Sequence, residues 1–225
     1  MIRENLQNIY KELPPDVKLV AVSKFHPVEA MLEAVDAGQL RFGENRPQEF
    51  QKKVLSFREQ HPEVAGRLEW HFIGHLQTNK LKMVLPYADL VQSIDSLHLL
   101  QAVDAWGKTA QKTVNVLLEL HIGAEQTKQG FVEEEILDIL FHAGNYPNVR
   151  FCGLMGMATN TDNEDDIRAD FARISHFMNY LRDLFPELDS FRELSIGMSD
   201  DWRIAVGYGA TMVRIGTAIF GPRQY

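Results

Sequence analysis

Lys24 closes a short apolar run, Val20-Ala21-Val22-Ser23-Lys24, and Phe25-His26-Pro27 follows it. Four small or apolar residues favour a strand, and Pro27 stands where a helix would begin. Lys24 is therefore expected as the last residue of a buried parallel strand, just before a βα turn, where α/β folds keep their chemistry. Desolvation there lowers an amine's pKa. A neutral amine attacks a carbonyl and forms a Schiff base. The same position also suits a lysine that snorkels to solvent or pairs with a carboxylate. Position alone weighs the two readings equally.

Two further stretches could bind an anion. In Ser195-Ile196-Gly197-Met198-Ser199-Asp200-Asp201-Trp202, Gly197 would let backbone approach a ligand, and Ser199 is placed to cap a short helix at about 200–206. A capped helix start leaves amides pointing outward, which suits a phosphate. By itself that stretch reads more simply as an ordinary capped helix. In Val213-Arg214-Ile215-Gly216-Thr217, strand alternation puts Arg214 and Gly216 on the face opposite Ile215. If Ile215 faces outward, Arg214 points into the barrel and needs an acceptor or a ligand, with an interior carboxylate as the structural alternative. Gly216 and Thr217 add an amide and a hydroxyl. In barrels the loops after strands seven and eight recur as a phosphate site. Both halves of that site are present.

The elements that must position these residues alternate strictly. Strands are expected at 18–24, 40–44, 70–74, 90–94, 114–122, 151–157, 193–197 and 212–215. Helices are expected at 27–37, 47–60, 78–85, from Ser96 as N-cap, from Val132, at 163–185 and at 200–206, with a polar loop at 125–130. Eight strands alternating with helices at this length predict an α/β fold, a single (β/α)8 TIM barrel with an extra N-terminal helix. An open doubly wound sheet is second, because no Gly-x-Gly-x-x-Gly follows the first strand. No residues remain for a full eighth helix, and the first helix, with Leu6, Ile9, Tyr10 and Leu13 on one face, would cover that gap.

With 225 residues, 45% hydrophobic and 24% charged, the chain is ordinary for one globular core. A formal charge of −8 argues against a general nucleic-acid or anionic-membrane surface. The single Cys152 cannot pair internally and reads as a small core residue in a reducing compartment. No signal-like segment or bilayer-length run is present, so a cytoplasmic protein is expected. His71 and His75 are four apart, but the residues between them read as strand, so zinc is not expected. His75 is expected to hydrogen-bond at a strand-end loop, and Met155 and Met157 to pack the barrel.

The motifs Ala-Val-Ser-Lys at 21–24, Phe-Gly-Glu-Asn at 42–45, Trp-His-Phe-Ile-Gly-His-Leu-Gln-Thr-Asn-Lys at 70–80, Gly-Leu-Met at 153–155, Leu-Ser-Ile-Gly-Met-Ser-Asp-Asp at 194–201 and the run at 213–221 span nearly the whole chain. In them the chain resembles the YggS/PROSC family, the pyridoxal 5′-phosphate (PLP) homeostasis proteins. The resemblance implies a single domain over 1–225, similar to the alanine racemase N-terminal domain. It implies that Lys24 holds PLP as a Schiff base. Ser199, Gly216 and Thr217 would contact the phosphate, Arg214 would face the pyridine nitrogen, Asn45 would sit near the phenolic oxygen, and Met198 would be a further cofactor-binding residue. Arg46-Pro47 departs from many relatives and leaves the start of the second helix open.

Three functions are then weighed. The first is a PLP carrier or regulator without turnover, a monomer whose partners are PLP and PLP-dependent apo-enzymes. The second is a PLP enzyme such as an amino-acid racemase. It needs a second base, which in the racemases resembled is a tyrosine from an added domain; no residues remain here for that domain. The third is an aldolase using Lys24 without PLP. The first is the reading carried forward.

Overall fold

The computed structural model describes residues 1–124 and 129–222. Eight parallel strands form the frame: β1 (Lys18–Val22), β2 (Arg41–Glu44), β3 (Glu69–Phe72), β4 (Leu90–Ile94), β5 (Val114–Glu119), β6 (Val149–Met155), β7 (Glu193–Ser195) and β8 (Met212–Ile215). Each pairs with the next, and β8 pairs back onto β1, closing a barrel. The strands are largely buried because both faces are covered; every residue of β4 is buried, Gln92 and Ser93 included.

Around the strands lie α1 (Ile2–Glu12), α2 (Val28–Asp36), α3 (Pro47–Gln60), α4 (Pro62–Ala65), α5 (Leu81–Val84), α6 (Leu97–Ala110), α7 (Glu133–Phe141), α8 (Glu164–Leu184), α9 (Trp202–Gly207) and α10 (Thr217–Phe220). Helix α3 starts at Pro47, where proline's fixed φ suits the first helical position, so Arg46-Pro47 begins the helix rather than disturbing it. Ser96 caps α6, its Oγ accepting from the Leu99 amide at 3.3 Å. The acidic runs 133–135 and 164–166 occupy the first turns of α7 and α8, where they complement the helix dipole. The helix expected at 78–85 is instead a 3-10 turn (Thr78–Lys80) followed by one α turn, and Pro86 stops it. Of the polar loop expected at 125–130, residues 125–128 lie outside the described residues.

The core has two shells. Between strands and helices Phe50, Phe57, Trp70 and Phe72 pack edge to face and Phe42 tilts against Trp70, with ring centroids 5.8–6.1 Å apart. Inside the barrel a smaller cluster of Val20, Leu90, Leu117, Met155 and Met212 fills the space, with Cys152 against it. Cys152 and Met155 are thus packing residues, as expected. Helix α10 has a single turn, and α1 covers the remaining flank: Asn5 Nδ2 donates to the Ile219 carbonyl at 2.9 Å. Among the described residues no helix is long and apolar enough to cross a membrane.

Candidate functional site at the C-terminal mouth of the barrel

A cavity of about 410 Å³ opens at the C-terminal ends of the strands. All seven residues singled out from the sequence line it: Lys24, Asn45, Met198, Ser199, Arg214, Gly216 and Thr217. They come from β1, β2, β7 and β8, which adjoin one another because β8 closes onto β1. The volume lies in the range of small-ligand pockets.

Lys24 stands two residues beyond the end of β1 rather than at it. The strand stops there because the flanking backbone is captured from outside. Lys53 Nζ, on α3, donates to the Ser23 carbonyl at 2.7 Å, and the Phe25 amide donates to Glu49 Oε1 at 2.7 Å. Lys53 also contacts Glu44 and Glu49, each at 2.7 Å, and Ser23 Oγ donates to Glu44 at 2.6 Å. Phe25 adopts φ 67°, a left-handed conformation costly for a side-chain-bearing residue. The Arg46 guanidinium lies 4.4 Å from the Phe25 ring centre, over its face, and His26 stacks on Phe220. Burial pushes the Glu44 carboxyl up, and Lys53 opposes that. The cluster fixes the backbone on both sides of Lys24, so the amine is presented from a preset turn.

Asn45 follows β2 and meets the cavity with an amide oxygen that is buried and has no protein partner among the described residues. Gly74 makes room for it: a Cβ there would stand 2.2 Å from the Asn45 carbonyl oxygen.

Arg214 is 4% exposed. One terminal nitrogen donates to the Ser195 carbonyl and hydroxyl, both at 2.7 Å, and the other to the Gly156 carbonyl at 2.9 Å. These contacts are neutral oxygens, so the structural alternative of an interior ion pair does not describe it. Burial lowers its pKa to about 10, which leaves it charged at neutral pH, with Glu119 and Asp201 favouring the charge.

Ser199 does not cap the helix after it. Asp201 precedes α9, and the Ser199 hydroxyl instead accepts from the amides of Gly216 and Ala218 at 3.3 and 3.5 Å. The two halves of the expected anion site are therefore joined through this hydroxyl. Gly197 has φ 93°, and a Cβ there would stand 2.7 Å from Ala205 Cβ. Its lack of a side chain lets α9 pack closely, and Gly197 is not among the residues lining the cavity. Met157 is 42% exposed at the cavity mouth, so it is not barrel packing.

His75 Nδ1 pairs with Asp95 at 2.6 Å, as a loop hydrogen-bonding residue should. Sequence reasoning missed Glu119, the acid that ends the apolar strand β5 and lines the cavity at 5% exposure. Its signal was a lone carboxylate after the apolar run Val116-Leu117-Leu118. Burial, then Asp95, raises its pKa to about 7, against the pull of Arg214 and His75. The folded state thus holds this proton more tightly than the unfolded chain. The stability this confers is full below about pH 4.5 and is lost as pH rises through about 7. Glu119→Gln is expected to stabilise the protein at pH 8 by of order 2–3 kcal/mol relative to its effect at pH 4.5, measured by urea unfolding at both values.

The profile of the alanine racemase N-terminal domain family matches residues 1–224. A "Pyridoxal phosphate homeostasis protein" from Vibrio alginolyticus is 38% identical over 234 residues, covering 100% of this chain and 98% of its own. The chain belongs to the family of pyridoxal phosphate homeostasis proteins. PipY of Synechococcus elongatus, solved without PLP, superposes with a TM-score of 0.90 at 34% identity, covering 98% of this chain and 100% of its own. PipY solved with PLP bound superposes at 0.87 with 33% identity and the same coverage. Alanine racemase from Clostridium difficile, 16% identical with a TM-score of 0.78, shares the fold. In this homeostasis-protein barrel the cavity just described lies at the end where TIM barrels carry their ligand sites.

Proposed function

We propose that the barrel, as one domain over 1–225, binds pyridoxal 5′-phosphate through a Schiff base to Lys24 and serves intracellular PLP homeostasis without turnover of its own. The observation that carries this is the convergence, in one cavity, of the Lys24 amine, the buried Arg214 guanidinium and the linked Ser199 and Gly216–Ala218 donors. When bound, the cofactor supplies an aldehyde for the amine and a pyridine ring that withdraws electrons. The unpartnered Asn45 amide fits a polar ring substituent; exchanging its nitrogen and oxygen offers a donor to a phenolic oxygen. Ser199, Gly216 and Thr217 would hold the phosphate, with Met198 beside them. Arg214 would donate to the ring nitrogen. A guanidinium cannot accept there, so the ring nitrogen stays unprotonated and the ring withdraws electrons weakly. That disfavours transamination and racemisation.

No tyrosine is among the described residues lining the cavity. The assignment extends to a cytoplasmic monomer that delivers PLP to PLP-dependent apo-enzymes, with no nucleic-acid partner at a charge of −8. The purified protein is expected to be yellow. Borohydride should abolish the visible band and leave the cofactor's mass on the peptide carrying Lys24. Lys24→Ala should lose the reducible adduct while the protein still folds, because the half-buried side chain lies outside the hydrophobic core. A protein that takes up no added PLP, or an adduct on another lysine, overturns the assignment. Turnover of an L-amino acid above that of free PLP, lost in Lys24→Ala, would make it a racemase instead.

A further inference from the structure

Four side chains link the cavity to the opposite end of the barrel. Arg214 donates to Ser195 Oγ at 2.7 Å, and Ser195 Oγ donates to Gln92 Oε1 at 2.6 Å. Gln92 Nε2 lies 2.7 Å from His71 Nδ1, and His71 Nε2 lies 2.8 Å from Glu69 Oε1. Arg41 then donates to Glu69 from the outer side at 2.8 Å. Ser195, Gln92 and His71 are 0–1% exposed, so water does not compete for these bonds.

The two ends set the direction of every bond between them. A guanidinium only donates, and a carboxylate only accepts. Ser195 must therefore accept from Arg214, and its single proton goes to Gln92 Oε1. That turns the Gln92 amide nitrogen toward His71, whose Nδ1 must accept. His71 is then the neutral tautomer with its proton on Nε2, given to Glu69. Burial would push the Glu69 carboxyl up, but hydrogen bonds from His71 and Arg41 bring it to about 2, so it accepts throughout the neutral range. Burial likewise lowers the His71 pKa, against the pull of Glu69.

We propose that His71 and Gln92 are positioning residues for Arg214: with Ser195 they form a one-way hydrogen-bond chain, anchored on Glu69, that holds the guanidinium so that its remaining N–H groups face the ligand. Neither residue lines the cavity. The chain determines which way Ser195 points. Without an acceptor at residue 71 the Gln92 amide is released to turn over, presenting its nitrogen to Ser195 in place of its oxygen and loosening one of the two anchors on that guanidinium nitrogen. The proposal rests on the PLP-binding assignment only for its effect on the ligand. The effect on Arg214 itself is readable without ligand.

The test compares Ser195→Ala, His71→Leu, His71→Asn and the Ser195→Ala/His71→Leu double variant. Asparagine keeps an acceptor near the Nδ1 position and leucine does not, while both shorten the side chain and give up Glu69. The first readout is the Arg214 Nε–H resonance in the ligand-free protein, identified by its absence from Arg214→Lys. The second is PLP retention. His71→Leu and Ser195→Ala are each expected to broaden or shift that resonance and weaken PLP retention about tenfold, with a shifted absorption maximum. His71→Asn should remain within about threefold of the parent. The double variant should be no worse than Ser195→Ala, because the chain is already cut. Equal effects of His71→Leu and His71→Asn, additive losses in the double variant, or an unmoved Arg214 resonance in Ser195→Ala overturn the proposal. Ser195→Ala removes a single oxygen, so the resonance remains measurable even if His71→Leu does not fold. A moved resonance with no PLP uptake by any form, the parent included, supports the chain and refutes the ligand assignment alone.

Discussion

Lys53→Met is expected to lower the unfolding free energy by about 3–5 kcal/mol and to release PLP. Lys53 is 5% exposed and Glu44 is fully buried, so methionine would leave Glu44 without the cation that offsets its desolvation. It would also leave the Ser23 carbonyl without its donor from α3 and break the lysine's contact with Glu49. The turn carrying Lys24 would then lose the bond that ties the Ser23 carbonyl to α3, and the hold on the left-handed Phe25 through Glu49 would weaken with it. The loss should depend on pH. Burial already raises the Glu44 pKa, and removing Lys53 raises it further. Its stability contribution is therefore present at low pH and lost as pH rises, making the variant weaker at pH 8 than at pH 5. Adding Glu44→Gln should recover most of the stability at pH 8 while PLP retention stays reduced. Urea unfolding at the two pH values, with a cofactor-release assay, checks both halves. Full PLP retention in Lys53→Met would show that the cluster does not hold the turn.

Arg214→Glu is expected to prevent stable folding, or to cost at least about 3–5 kcal/mol. The guanidinium donates to two carbonyls and a hydroxyl in a site that is 4% exposed. A carboxylate there would face acceptors with no donor of its own, and Glu119 lines the same cavity. From the strand pattern alone this substitution should alter a bound ring's spectrum more than its retention. The contacts to Ser195 and Gly156 add a structural role, so fold and retention go together. Arg214→Gln is the better probe of the ring, because it keeps a donor for one carbonyl without adding charge. It should shift the absorption maximum of the loaded protein while a thermal unfolding transition remains. An unmoved maximum would mean that Arg214 does not reach the ring.

The barrel was legible because short runs such as 19–22, 114–118 and 212–215 alternate with segments whose apolar residues recur at helical spacing. Lys24 and Arg214 were picked out for a related reason: a charged group in or just beyond a buried strand is costly there without a partner or ligand. Lys53 was not picked out, although it lies on the same helical face as Phe50, Val54 and Phe57. Its neighbour Lys52 makes the pair look like a solvated edge. Glu119 was passed over because it lies inside the strand expected at 114–122, where one acid is lost among apolar neighbours. The role of Ser199 was misread because a serine before a helix resembles a cap, and nothing local shows that Gly216 and Ala218 lie across from it.

What the sequence determined by itself was the order of strands and helices, and a charge that disfavours nucleic acid. These follow from period, composition and local conformational preference, which act within a few residues. The tertiary structure alone decided that β8 closes onto β1, which brings residues nearly 200 positions apart to one cavity. It alone decided that a lysine from α3 holds the turn before Pro27, and that Arg214 is tied through the barrel to Glu69. Such contacts depend on which side chains meet across a closed barrel, and sequence spacing carries no term for that meeting.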